Sequence, residues 1–215
     1  MFVISLLFSI SFPIYTIKNL PLFDFRAYKI GNNIKEQMKQ SPSYQPAVIE
    51  TGFVYENLKT GKKEHFNLKN YPWQDTITWK WVATENIVVK EAVDAPKITD
   101  FTITDLNGNT VTDSLLNDTN NSFWIITYDL AKTNSDPTLI AKINDFYKLA
   151  TQNGNKVVAL TASGPTQIDE FKHKHNLMVD FLIVDGTVLK TMIRSNPGLM
   201  LMKNGTVLMN WHHNN

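Results

Sequence analysis

Between Ser122 and Thr161 the chain spells out a strand, a helix and a second strand in direct succession. Residues 122–128, SFWIITY, carry no charge and no polar–apolar alternation, the pattern of a strand covered on both faces. Ser135-Asp136-Pro137 then places a capping side chain and a proline where a helix begins. Leu139, Ile140, Ile143, Phe146, Tyr147 and Ala150 recur with helical spacing, and Asn153-Gly154 ends the helix. Residues 156–161, KVVALT, form the second buried strand. Two buried strands joined through a helix pair in parallel by a right-handed crossover, so the C-terminal half is an α/β unit.

The elements around this unit extend it. Residues 101–106 alternate apolar and polar side chains before an Asn107-Gly108 turn. Ser163-Gly164-Pro165 opens a helix with Ile168 and Phe171 facing inward. Residues 180–185 read as a strand and 187–194 as a short helix carrying Val188, Leu189, Met192 and Ile193 on one side. After Pro197, residues 198–203 and 206–211 form a hairpin around Asn204-Gly205. Upstream, 50–56 and 62–68 flank Lys59-Thr60-Gly61 as a hairpin. With 78–82 and 87–91 they predict a four-stranded antiparallel patch. Trp73, Trp79 and Trp81 suit a stacking platform for a sugar or base. The preferred reading is that they fill the core of a sheet short of aliphatic residues.

Residues 1–17 contain no charge and are read as the end of a transmembrane helix, although a span needs about 20 apolar residues and Pro13 interrupts this one. A signal peptide would show a basic start and a small-residue cleavage site, and neither is present. A signal peptide lacking these features and a buried N-terminal strand or helix are the remaining readings. Residues 18–46, with Pro21, Gly31, Pro42 and Pro46, read as linker with one short helix near 34–39. The expected domains are therefore a hydrophobic membrane segment at 1–17, linker and small β region at 18–94, and an α/β domain at 95–215. Lys18, Arg26, Lys29, Lys35 and Lys39 make the flank basic, which by the positive-inside rule favours a cytoplasmic side.

The order of elements after residue 94 resembles the thioredoxin-like fold, in its TlpA-type branch. Ala95-Pro96 followed by Asp100-Phe101-Thr102-Ile103-Thr104-Asp105-Leu106-Asn107-Gly108 is similar to that branch's opening strand. Ser195-Asn196-Pro197-Gly198-Leu199 is similar to its cis-proline segment, and Lys203-Asn204-Gly205-Thr206-Val207 to its closing turn. The expected class is thus a three-layer α/β thioredoxin-like domain, preceded by a small antiparallel β region and an N-terminal transmembrane stub. A narrower resemblance links Asp24-Phe25-Arg26-Ala27-Tyr28-Lys29-Ile30-Gly31, Tyr128-Asp129-Leu130-Ala131-Lys132 and residues 193–199 to DoxX/MauE-type bacterial membrane proteins. In these a soluble thioredoxin-like region follows a membrane bundle. That resemblance implies a bacterial inner-membrane location with the soluble domain in the periplasm.

Active members of the thioredoxin-like family carry Cys-x-x-Cys at the start of the long helix. Here Lys132 or Thr133 and Ser135 stand at those positions, and the whole chain has no cysteine. Disulfide exchange needs a thiolate that attacks sulfur, so thiol oxidoreductase activity is excluded. The balance of 21 basic and 20 acidic residues excludes the basic footprint of a nucleic-acid binder. His173 and His175 lie two apart on a helix and do not share a face. His212-His213 has no predicted third ligand, and no nucleophile elbow or phosphate loop is present. No catalytic residue, cofactor or metal is therefore assigned.

Two roles remain. The first is a membrane-anchored binding module whose groove, between Tyr128, Asp129, Lys132 and Ser135 on one side and Asn196 and Pro197 on the other, holds an extended peptide or a partner protein's edge through backbone bonds. The second is an accessory subunit of a membrane redox or respiratory system, with its chemistry in a bundle or partner elsewhere. In either role insulin reduction should run at the uncatalysed rate, and faster turnover by a preparation free of thiol enzymes would overturn the exclusion.

Overall fold

The computed structural model describes residues 18–215 and positions 5, 9, 11–13, 15 and 16. The chain forms two compact units, Gln40–Pro96 and the remainder. The described positions between 5 and 18 are helical and exposed. Among the described residues no helix is long and apolar enough to cross a membrane. The other positions of the expected membrane segment 1–17 lie outside the described residues.

The larger unit is built on a six-stranded sheet of order β4-β7-β6-β5-β8-β9. Its strands are β4 (Ile103–Thr104), β5 (Ser122–Ile126), β6 (Lys156–Thr161), β7 (Asp180–Val184), β8 (Gly198–Lys203) and β9 (Thr206–His212). β5, β6 and β7 are mutually parallel, while β4, β8 and β9 pair antiparallel. The two-residue period of a strand sorts the apolar runs onto opposite faces. Trp124, Ile126, Val158, Leu160, Met200 and Met202 join one core cluster. Ile125, Val157, Ala159 and Phe181 join the other.

Each face is covered by helices. α1 (Ile34–Met38), α2 (Thr112–Leu116) and α5 (Gly186–Met192) bury Ile34, Leu115, Leu116, Leu189 and Met192 against the first. α3 (Pro137–Gln152) and α4 (Pro165–His175) bury Ile140, Ala150 and Ile168 against the second. Asp136 caps α3 as the sequence implied, accepting from the Thr138 and Leu139 N–H groups. The strand order, the parallel centre and the helices on both faces make this unit a thioredoxin-like α/β fold. The Asn196–Pro197 peptide is cis, as that resemblance implies.

Residues 20–38 depart from the linker expectation. Ile34 is fully buried, and Tyr28 packs at a tilt against Phe101, which stacks on Trp124. The backbone of this segment also pairs with the end of the sheet: Gly31 N–H donates to Val207 O, Val207 N–H to Asn32 O, and Ile34 N–H to Gly205 O. Proline and glycine punctuate the segment without freeing it, because its few apolar residues close one end of the core. Asp24 and Arg26 pair side by side, and Arg26 also donates to Met192 O at 3.1 Å.

The smaller unit is a three-stranded sheet of order β2-β1-β3, not the expected four strands. β1 (Val48–Asn57) and β2 (Lys63–Asn67) form the hairpin, with Gly61 at φ +68° in its turn. β3 (Trp79–Lys90) is one continuous strand. No glycine or proline interrupts Ala83–Asn86, and β1 is long enough to pair with the full length. One register shift opposite Val54/Tyr55 leaves Val82 without a partner. The tryptophans do not form a shared core. Trp79 meets Phe66 edge-on, with Phe66 against Tyr55, while Trp73 and Trp81 are exposed.

Ile34→Ala tests the reassignment of 20–38. It should lower unfolding free energy by about 2–5 kcal/mol in urea titrations, the cost of a truncated core aliphatic. A loss under about 0.5 kcal/mol, typical of an exposed position, would return the segment to linker status.

Candidate functional site

β5 ends at Ile126, and the ladder continues one residue further because Thr127 N–H donates to Leu160 O. The chain then enters the loop on which four of the six sequence-predicted site residues lie. Asp129 caps a single 3₁₀ turn, Leu130–Lys132, accepting from Ala131 N–H at 3.0 Å. Leu130 is buried, and its N–H donates to the Oγ of buried Ser163. The long helix starts only at Pro137, so Lys132 and Ser135 sit on the loop ahead of it and not in its first turn.

Asn196 organises the facing side. Its Nδ2 donates to Asp129 O at 3.0 Å, and its Oδ1 accepts from Thr133 Oγ1 at 2.7 Å. Its carbonyl accepts from Asn134 N–H at 3.0 Å. With the Thr133 proton committed to Asn196, the close Thr127 hydroxyl must donate to Thr133. Asn196 thus ties the loop at three points, two through its side chain and one through its backbone carbonyl, each worth about 0.5–1.5 kcal/mol net.

Asp129 and Lys132 form an exposed ion pair, which adds little. It nonetheless holds the Asp129 carboxyl below its ordinary range, chiefly through the Lys132 hydrogen bond, against some desolvation. The same bond raises the Lys132 ammonium.

Asp129, Asn196 and the loop are therefore brought together, with Pro197 buried. Tyr128 points elsewhere, half-buried beneath the Lys190 ammonium at 5.7 Å. Ser135 is half-buried and joins none of these bonds. The backbone acceptor expected to be free at Asn196 is instead used by Asn134. Thr127 and Asn134 were not singled out in the sequence, Thr133 was noted only as standing at a cysteine position, and Ser163 only as opening a helix. Their only signal was a run of hydroxyl and amide residues where the related fold has thiols.

Behind Pro197 lies a second polar cluster. Buried Ser195 donates from Oγ to Pro197 O and accepts from His213 N–H at 3.1 Å. Its single proton being committed, the 2.9 Å contact with His213 Nδ1 requires the ring to donate. His212 is buried, and its Nδ1 accepts from Asn214 N–H at 3.2 Å, which places its ring proton on Nε2. A second proton on His212 would face that donor. Burial lowers the His212 pKa, helped by the His213 charge. Burial also lowers His213, opposed by the Pro197 carbonyl. Among the described residues no group of three His, Asp or Glu side chains is arranged to hold a metal.

Residues 49–91 match a family model described as a domain of unknown function, DUF8463, and this match coincides with the three-stranded sheet. No curated protein matches the chain. Solved structures similar to the larger unit include a thiol:disulfide interchange protein from Bacteroides sp., at 12% identity and TM-score 0.42, covering 51% of this chain and 75% of that one. The thioredoxin domain of a thiol-disulfide oxidoreductase from Bacteroides vulgatus aligns at 12% identity and TM-score 0.41, covering 51% and 81%. StoA from Bacillus subtilis aligns at 13% identity and TM-score 0.40, covering 51% and 84%.

The histidines give the fold a pH dependence whose sign is set. A His whose folded pKa lies below its unfolded value of about 6.5 contributes stability above that pH, and the contribution is lost as pH falls through it. His175, lowered by burial and Lys174, acts in the same direction. The urea midpoint should fall between about pH 7.5 and pH 5.5, and it should fall less in His212→Gln, whose amide can still accept from Asn214. Equal slopes for the two proteins would remove His212 from this account.

Proposed function

We propose that the chain is a redox-inert binding module on a thioredoxin-like scaffold, which takes an extended peptide or a protein partner at the face formed by residues 128–135 and Asn196–Pro197. The observation that carries this is the hydrogen-bonded latch. Where the related fold exposes reactive sulfur, Thr127, Thr133 and Asn196 are bonded to one another and to the loop backbone. Such a loop is held for recognition and has no group that can exchange bonds with a substrate.

Because Asn134 already occupies the Asn196 carbonyl, the partner reads the rim formed by half-buried Asp129 and exposed Lys132, or else displaces Asn134. We further propose that residues 1–17 tether the module to a bacterial inner membrane with the folded part in the periplasm, as the soluble region of a DoxX-type protein. The charge-free run supports the tether, and the narrower sequence resemblance supports the side; the basic flank favours the opposite side, but a domain of this length translocates largely regardless of charge.

Amide chemical shifts measured against a panel of unfolded peptides test the binding role. Shifts should concentrate at 128–135 and 195–199 and weaken in Asn196→Ala. Shifts scattered over the surface, or unaffected by Asn196→Ala, would sink it. Carbonate-washed membranes test the tether: the full chain should stay in the pellet and the chain lacking residues 1–17 should not. Recovery of both in the soluble fraction would dispose of the anchor without touching the binding role.

A further inference from the structure

A cavity of about 460 Å³ is lined by α3, by β5 and β8, and by the end of β9 and the residues after it. Its size falls within the range of small-molecule sites. Phe123 of β5 and Phe146 of α3 meet edge-on at its wall, with ring centroids 4.9 Å apart and planes at 88°. Ile143 and Leu199 extend the same apolar lining.

The polar lining is one-sided. Lys142, His213 and the last two asparagines contribute to it, and no aspartate or glutamate does. Lys142 stands one residue before Ile143 on α3, and among the described residues its ammonium has no ion pair or hydrogen bond. Asp129 is paired with Lys132 and lines none of the cavity. An apolar chamber whose only charged side chain is an ammonium without an ion pair among the described residues complements a molecule with an apolar body and an anionic, acceptor-only head.

We propose that this cavity binds a small amphiphilic carboxylate, its hydrocarbon between Phe123, Ile143, Phe146 and Leu199 and its carboxylate at Lys142. The site adjoins the peptide face at Pro197 but stands whether or not a peptide binds there, since it uses none of the latch bonds.

Calorimetric titration of the full chain with submicellar decanoate, decanol and decylamine tests this. Decanoate should bind saturably at one per chain and more tightly than decylamine. Lys142→Met should weaken decanoate by about three- to fivefold, the range of an exposed charge pair, and leave decanol unchanged. Phe146→Arg, checked for folding by circular dichroism, should abolish binding of all three.

Absence of saturable binding would overturn the proposal, as would equal affinity for acid and amine. Decanoate binding indifferent to both substitutions would place the hydrocarbon on residues 1–17 and overturn it too. So would a chain that is dimeric by sedimentation and becomes monomeric in Phe146→Arg without ever binding decanoate, because the cavity would then be covered by a second copy.

Discussion

Burial of β5 on both faces is the constraint from which the larger unit follows. Trp124 and Ile126 point into one core, and Phe123 and Ile125 toward the other, so the strand is stable only between two helical layers. Trp124 is fully buried, and its indole N–H is satisfied by the buried Ser122 hydroxyl two residues away, on the same face. It also ends the aromatic column that runs through Phe101 to Tyr28. A strand so held projects its C-terminal end, and the loop after it, at a defined place beside β6 and β8.

The loop's geometry then rests on a few short-range bonds. Asn196 supplies three of them, and Leu130 is pinned from below by Ser163. Buried hydrogen bonds of this kind hold a conformation because breaking one leaves a polar group without water. The exposed Asp129–Lys132 pair cannot do this, being solvated in either arrangement. The loop is therefore held by hydrogen bonds along its backbone, and the chain has no thiolate to present there. On the far side of Pro197 the bonds of Ser195 and the two histidines fix the chain that closes the neighbouring cavity.

The smaller unit follows a different rule. Its strands pack on one another through aromatic side chains, with Tyr55 and Val54 buried and most of β2 and β3 exposed. Gly52 is placed where Ile87 crosses the sheet surface: a Cβ there would meet the isoleucine side chain at 2.2 Å. Gly198 plays the same part in the larger unit, where Ile193 lies within 2.6 Å of the space a Cβ would take. At both positions the chain uses the missing side chain to admit a large neighbour.

Strand–helix periodicity, caps and turns were legible because each is local. Asp136-Pro137, Asn153-Gly154 and Asn204-Gly205 declare their conformations within a few residues, and the charge-free runs 122–128 and 156–161 declare burial on two faces. The absence of cysteine likewise excluded thiol chemistry without any structure. Three things needed the tertiary fold. Residues 20–38 read as linker because Tyr28 and Ile34 are too sparse to show a period, yet their partners Phe101 and Val207 lie 73 and more residues away. The single long β3 depended on a partner strand of sufficient length, which no local signal reports. The latch at Asn196 and the cavity beside Phe146 arise where segments remote in sequence converge. A hydrogen bond or a void between such segments is set by their distance in space, which the chain specifies only once it has folded.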